Sequence, residues 1–542
     1  MGNESQNTVF LPEGSKRERG KDAQRMNIMV AKAVSNAVKS TLGPRGMDKM
    51  LVDELGNVTI SNDGATILKE MAIEHPIGKM LVELAKNQDD EVGDGTTSAV
   101  VIAGGLVAKA ENLLDENVHP SIIIKGYKMA SEKAVEYFNE ISEKVAINDK
   151  QELLDIAKTS MTGKASEYSS NLGNIVLEAT LKISKSNKEI DRDQIKIEQK
   201  IGGSLSDTKL IDGIVLDKEI VHSEMPRSVK NAKILLLSSA LEVKEPETEA
   251  KIQITSPDQL QAFIDEEEHY LKAMVDRIEA TGANVVLCQK GIDDLAQHYL
   301  AKAGITAIRR VRQTDIERIA KATGGKIVSR IKDVTTKDLG TAEHVYDKKI
   351  AGDYMLFIEK CPNPGYVTIL LRGTSEQVLA ETERTLTDAI GAVISTIKTG
   401  KFVAAGGASE IEVALRLKNF AKTVGGREQL AIEAFADVLE IIPKTLAESA
   451  GLDAIDTIVF LRSKHQDPAN KALGIDVVNG IVADMKKKKV IEPIAVKTQA
   501  VTSATEVAEM ILRIDDIIAG QSNRPRTPPM GMGGMPGGMG EM

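Results

Sequence analysis

The sequence predicts a multidomain α+β protein, helical towards both ends and α/β in the middle. Three observations predict it. The chain has 542 residues, which at about 150 residues per domain corresponds to three to four domains and more than one buried core. Apolar residues recur at helical spacing in the first segment and again towards the end of the chain. Between residues 219 and 368, apolar runs such as Ile234–Leu237, Val285–Leu287 and Ile305–Ile308 alternate with helical stretches, as in an α/β domain.

Met26, Val30, Val34 and Val38 recur every four residues and predict a helix over 22–40, stopped by Gly43-Pro44. The β-like runs Met50–Leu55 and Val58–Ile60, separated by Gly56-Asn57, read as a hairpin. Asn62-Asp63-Gly64 is a turn leading into another helix. A helix from Pro76 to Gln88 is predicted to break at the acidic, Gly-rich run Asp89–Gly95, and the next begins near Thr96. Residues 120–145 read as a long amphipathic helix, 150–218 as mixed, 374–400 as a helix ended by Gly400, and 409–519 as mostly helical. The Pro-, Gly- and Met-rich tail from Gln521 cannot build a core and is expected to be disordered. Inside the α/β segment, Leu260, Phe263, Ile264, Leu271, Met274, Val275 and Ile278 fall on one helical stripe. Such a stripe packs on its own domain or projects towards a partner, and periodicity does not choose between the two.

Composition excludes several classes. The net charge of −10 does not suit a general nucleic-acid binder, and 3% aromatic residues with no Trp leave few stacking platforms. Cys288 and Cys361 are the only cysteines, which fits a reducing cytoplasm and gives no disulfide framework. The first twenty residues show no secretory signal, and the apolar stretch Ala99–Ala108 is about half of a membrane span, so no membrane partner is expected. No H-E-x-x-H, G-x-S-x-G or G-x-x-x-x-G-K-[ST] motif occurs.

The most informative run is Gly93-Asp94-Gly95-Thr96-Thr97-Ser98, directly before a helix. Glycines admit close approach of a ligand, the free N–H groups at a helix start favour an anion, and three hydroxyls add phosphate donors. Asp94 offers a hard oxygen for Mg²⁺. A simple N-cap needs one such residue, whereas this run holds four. Asp63 on its own reads as a turn residue. Asp388 on its own reads as the partner of Arg384 on a solvated helix face, although small residues nearby leave room for a ligand. Gly406-Gly407 before Ser409-x-x-Glu412 reads as a capping box, as a second anion site or as a loop.

Taken together these motifs resemble the group II chaperonin family, the archaeal thermosome and eukaryotic cytosolic type, over essentially the whole chain. The residues that carry the resemblance are Thr41-Leu42-Gly43-Pro44-Arg45-Gly46, Ile60-Ser61-Asn62-Asp63-Gly64-Ala65-Thr66, the run 93–98, Thr159-Ser160-Met161-Thr162-Gly163-Lys164, Asp388-Ala389, Gly406-Gly407, Asp484-Met485, Ile491-Glu492-Pro493 and Val496-Lys497-Thr498-Gln499-Ala500. The resemblance implies a mostly helical equatorial domain formed by both chain ends (1–147 and 405–526), a small mixed intermediate domain (148–218 and 369–404), an α/β apical domain (219–368) with a helical protrusion at about 244–278, and a Gly/Met-rich tail (527–542). It implies an ATPase that uses ATP/ADP and Mg²⁺, and a protein-folding function in two stacked rings of identical or paralogous subunits, with a built-in lid and no separate lid co-chaperonin. By position, Thr41, Leu42, Gly43 and Pro44 would shape the nucleotide loop, and Gly95, Thr96, Thr97 and Ser98 would hold phosphates. Asp94 would ligate Mg²⁺, Asp63 and Asp388 would activate water, and Lys164 would sense the γ-phosphate. Gly406 and Gly407 would line the base and ribose, and Glu492 would accept from the ribose hydroxyls. Non-native client proteins would meet Phe263 and Ile264 of the protrusion with Leu295, Tyr299, Leu300, Ile316 and Ile319. The run Lys486–Lys489 replaces a turn that usually contains Gly and reads as a solvated loop, and Ala404-Ala405 stand where the family often has Gly or Pro. Two other classes are weighed against this one: a scaffold with vestigial ATPase activity, disfavoured because Asp63, Asp94 and Asp388 are all present, and a metabolic kinase, disfavoured because no acceptor-substrate motif is seen.

Overall fold

The structure, a computed structural model, describes residues 16–163, 169–186, 190–243 and 256–519. Lys164, most of the first half of the expected protrusion (244–255) and the Gly/Met-rich tail lie outside the described residues.

Both chain ends build one helical unit. Helices Lys21–Lys39, Pro76–Val92, Thr96–Asp115 and Pro120–Ile141 share a core with Ala408–Ala421, Glu428–Leu439, Ile441–Ala450 and Ile494–Arg513. Tyr127 shows how the halves lock: its ring meets Phe435 edge-on at 5.9 Å and its hydroxyl donates to Leu106 O at 2.8 Å. Thr96–Asp115 is long and apolar enough to cross a membrane, but most of it is buried inside this unit. Its Gly104 and Gly105 are close-packing positions, where an added Cβ would lie 2.2 Å from the Ser35 Cβ and 2.8 Å from the Ile441 Cδ1. The ends are also tied edge to edge, since Lys16–Arg19 pairs antiparallel with Asp516–Ala519. The expected hairpin forms from Lys49–Val52 and Val58–Ser61, and Met50, Val52 and Leu55 stand exposed on it.

The middle of the chain forms a seven-stranded mixed sheet. Thr306–Ile308, Val285–Cys288 and Ser228–Leu237 run parallel, Gly340–Ile350, Asp353–Glu359 and Gly213–Leu216 continue the sheet antiparallel, and the short Ile327–Val328 pairs parallel with Ser228–Leu237. Its core is buried against Pro257–Glu279, Asp294–Lys302 and Gln313–Thr323. Between the two units lies a third core, from Lys150–Met161, Ser169–Ser186, Glu376–Thr399 and the sheet strands Ile195–Ile201, Lys209–Ile211 and Val367–Gly373. Lys196 joins this connecting unit to the large sheet unit. Its buried ammonium lies 2.6 Å from Glu198 and 2.8 Å from Asp315, and it donates to Val215 O at 2.7 Å.

Several boundaries differ from the sequence reading. The helix from Pro76 runs through the acidic residues to Val92 and stops only where Gly93 takes φ 73°, because Asp and Glu are tolerated in a helix whereas the left-handed residue ends it. The helix at Pro120 ends at Ile141, since residues 143–144 join a strand. The segment after residue 409 also contains the hairpin Leu473–Asp476 with Ile481–Asp484. The apolar stripe of Pro257–Glu279 divides: Leu271, Val275 and Ile278 are buried in the sheet unit's core, whereas Leu260, Phe263 and Ile264 are 43–49% exposed. One half of the stripe thus packs on its own domain and the other half faces solvent.

Candidate active site

One cleft in the two-ended helical unit, reached also by the connecting unit, collects most of the predicted site residues. Thr41, Leu42, Gly43, Pro44, Asp63, Asp94, Gly95, Thr96, Thr97, Ser98, Asp388, Gly406, Gly407 and Glu492 all line a cavity of about 240 Å³. Local backbone chemistry explains the placement. Gly93 and Gly95 adopt φ 73° and 79°, so the chain leaves one helix and enters the next within three residues. A Cβ on Gly95 would lie 2.6 Å from Val496, and one on Gly93 would lie 2.7 Å from Gly391. The loop is therefore held between the last long helix and the helix that carries Asp388. Gly43 likewise leaves no space for a Cβ beside Leu446, and Gly407 none beside Pro443.

Asp63 caps the helix Gly64–Glu70, accepting from Thr66 N at 2.8 Å, while its other oxygen accepts from Thr96 Oγ1 at 3.0 Å. The cap thus couples the hairpin exit to the start of the long buried helix. Asp94 accepts from Gly95 N at 2.6 Å. Buried Gln88 fixes the loop, donating to Asp94 O at 3.0 Å and to Val496 O at 3.3 Å. Arg384 pairs with Glu381 at 2.7 Å and donates to Ile60 O, which docks the Asp388 helix on the hairpin.

Also lining the cavity, Glu492 lies 2.7 Å from Lys497, which also lies 2.5 Å from Glu410. Burial pushes the Glu492 carboxyl up to about 7, against the pull of Lys497 and with Glu410 and Asp94 adding to the rise. Burial works to lower Lys497, but the two flanking carboxylates hold it above its ordinary value.

The residues fit a magnesium nucleotide. Three carboxylates beside a helix N-terminus would repel a polyphosphate unless a dication lay among them, and hard carboxylate oxygens suit Mg²⁺. Asn62 Oδ1 and Ser160 Oγ line the cavity, are buried and lack a protein partner, so the cleft has polar capacity that the protein itself leaves unused. Ile475, Val477 and Met485 line the cavity together with Gly406-Gly407, and Gly406 packs beside Ile475 and Met485, a surface suited to a flat apolar ring.

Sequence reasoning missed Asp476. It lines the cavity, and although burial raises it, hydrogen bonds from Asn479 and Lys488 hold its carboxyl below the usual range. The signal lay in the basic run after Met485. Lys488 lies 3.3 Å from Asp476, Lys486 lies 2.5 Å from Glu143, and Lys487 lies 3.3 Å from Asp484, so the run is a solvated turn, as read, three of whose lysines also carry ion pairs. The capping-box reading is also corrected. Gly407 is the N-cap with no side-chain cap, Ser409 donates to Glu410, and Glu412 lies 2.8 Å from Arg416 and 2.9 Å from His465. Lys164 lies outside the described residues, although a Cβ built on its neighbour Gly163 would lie 2.8 Å from Pro44.

The residues expected to meet client proteins separate by burial. Phe263 and Ile264 are exposed, and Leu295 and Tyr299 are half-buried. Leu300, Ile316 and Ile319 belong to the sheet unit's core and offer no surface in this conformation. Helical spacing marks an apolar stripe without telling whether it faces the sheet or the solvent.

The pattern of the TCP-1/cpn60 chaperonin family matches residues 34–522. The chain is 57% identical over 530 residues to the thermosome subunit alpha of Archaeoglobus fulgidus, covering 97% of each chain. It is 57% identical over 523 residues to a thermosome subunit of Methanopyrus kandleri, covering 96% of each. Among solved structures it resembles the open-state monomer of a group II chaperonin from Methanococcoides burtonii, with TM-score 0.62 and 43% identity, covering 78% of this chain and 100% of that one.

Proposed function

The chain belongs to the TCP-1/cpn60 chaperonin family, and from that premise we propose that its cleft binds ATP with Mg²⁺ and hydrolyses it to drive protein folding inside a double ring of identical or paralogous subunits in the cytoplasm. The observation that carries the reading is the convergence of Asp63, Asp94 and Asp388 on one cavity with the helix start Thr96-Thr97-Ser98. Bound nucleotide supplies the γ-phosphoryl group, with its charge neutralised by the metal. Asp94 holds the cation. The hydroxyls of Thr96, Thr97 and Ser98 and the amides of that helix start hold phosphate oxygens. Asp63 and Asp388 orient a water and accept its proton. Glu492 accepts from the ribose hydroxyls, and Gly406-Gly407 leave room for the base.

The Asp388 helix spans the connecting unit, so a change at its foot is transmitted towards the large sheet unit. Nucleotide can drive closure only through unequal affinity for the open and closed arrangements. The exposed outer half of Pro257–Glu279 serves as part of the lid, and its Phe263 and Ile264 meet non-native clients, with no separate lid protein. Electron microscopy of the purified protein with and without MgATP tests this reading. Double rings that close during turnover are expected, and small particles indifferent to nucleotide would overturn it.

A further inference from the structure

A second cluster of ligating side chains lies in the large sheet unit, apart from the cleft. His222 and Glu224 stand on the loop between strands Gly213–Leu216 and Ser228–Leu237, and His298 stands on helix Asp294–Lys302. One ligand atom from each of the three lies within 4.8 Å of the other two, the one such group among the described residues. The two imidazole rings approach to 6.3 Å between centroids at 61°.

The positions are held from both sides. On the loop, Ile220 and Met225 are buried on either side of His222 and Glu224. Val221 N donates to Ala307 O at 3.1 Å, and Thr306 Oγ1 donates to Pro226 O at 2.7 Å. On the helix, Ala296, Gln297 and Leu300 are buried around His298, and Gln297 donates to Ile292 O at 2.8 Å. Three ligands on a braced loop and a packed helix lose little freedom on closing over an ion. Within the cluster, Glu224 N donates to His222 Nδ1 at 3.2 Å, so an ion taking that nitrogen displaces one long hydrogen bond.

We propose that His222, Glu224 and His298 form a zinc site that clamps the loop 217–227 to helix Asp294–Lys302. Two imidazoles and one carboxylate are a donor set for Zn²⁺ and its borderline neighbours, not for the Mg²⁺ of a nucleotide, which prefers all-oxygen shells. A tetrahedral zinc ion with ligands at about 2.0–2.2 Å needs them closer together than 4.8 Å, a distance that side-chain rotation covers. Glu224 is exposed, so the fourth position belongs to water. Tyr299, next to His298, donates to Glu268 on the helix Pro257–Glu279, and the clamp thereby stiffens the base of the exposed segment that carries Phe263 and Ile264.

The test is calorimetric titration of the nucleotide-free, chelator-stripped full chain with ZnCl₂ at pH 7.5, with the Co²⁺ visible spectrum as a second readout. One equivalent per subunit is expected. His298→Ala and Glu224→Gln should each weaken that binding by at least about tenfold, while His269→Ala, at an exposed position of helix Pro257–Glu279 outside the cluster, leaves it unchanged and all three variants keep the wild-type Mg²⁺-dependent ATPase rate. Glu224→Gln preserves shape at an exposed position, so lost folding cannot imitate lost ligation there. Equal zinc affinity in wild type, His298→Ala and Glu224→Gln, or no saturable binding below about 100 µM (roughly −5.5 kcal/mol), would overturn the site. The proposal does not rest on the nucleotide reading of the cleft and stands or falls separately.

Discussion

Gly93 and Gly391 meet backbone to backbone: a Cβ built on either would lie 2.7 Å from the Cα of the other. The loop that presents Asp94 is thereby pressed against the helix that presents Asp388. Gly391 lies inside that helix without a positive φ, so alanine there favours the helix locally while wedging the loop away. Gly391→Ala is expected to fold normally, to keep nucleotide affinity within about tenfold, and to lose turnover on the order of 100-fold, the effect of displacing a reacting group by about an ångström. Steady-state ATPase rates set beside nucleotide titrations check this; full turnover would show that the contact is only structural.

Asp388→Ala separates binding from chemistry. A carboxylate that accepts the proton of the attacking water contributes about 10²- to 10⁴-fold. Turnover should fall by at least about 100-fold with nucleotide affinity nearly unchanged, as measured by single-turnover hydrolysis and by equilibrium binding. Unchanged single-turnover rates would remove Asp388 from the chemistry.

Lys497 lies between Glu410 and Glu492. Replacing one partner of a buried ion pair leaves uncompensated charge and costs about 3–5 kcal/mol. Lys497→Met should therefore lower the thermal midpoint markedly, and adding Glu410→Gln should recover part of the loss. No recovery in the double variant would mean that the three groups are not energetically coupled.

Glu492 makes stability depend on pH. Its carboxyl lies above the ordinary 4.5, at about 7, chiefly because it is buried. A raised carboxyl favours the protonated form in the fold, so its contribution is complete below the unfolded value and is lost as pH rises through the folded one. Glu492→Gln keeps the neutral form at every pH. Its thermal midpoint relative to wild type should rise between pH 5 and pH 8, and a constant or falling difference would contradict the assignment.

The two halves of helix Pro257–Glu279 should respond in opposite ways. Leu271 is 3% exposed, and Leu271→Ala should cost about 2–5 kcal/mol and be read as a lower thermal midpoint. Leu260, Phe263 and Ile264 replaced together by Ser should leave the midpoint and ATPase rate unchanged but reduce the capture and protease protection of an unfolded client. Undiminished protection would exclude the exposed half from the lid.

Local features were legible in the sequence because their causes are local. The first helix, the hairpin at Gly56-Asn57, the long helix ended by Gly400 at φ 63° and the helix start after Gly95 each follow from periodicity or from a residue with a backbone preference. The pairing of the two ends was not: no periodic pattern says that Tyr127 will meet Phe435, and only the family resemblance implied it. Asp476 was invisible for a similar reason, since its counter-ion Lys488 is brought to it by a hairpin. Leu300, Ile316 and Ile319 were misjudged because a helix buried on a sheet and one bearing a docking face show the same stripe.

The shared core of the chain ends imposes an order on the protein's own birth. The helices up to Ile141 need Ala408–Ala421 and Ile494–Arg513 to cover them, yet those are translated last. At about 5–20 residues per second, the intervening stretch occupies the ribosome for on the order of tens of seconds. During that time the sheet unit can complete itself while the early helices remain uncovered. A nascent subunit therefore carries uncovered apolar helix faces until its last hundred or so residues have been made.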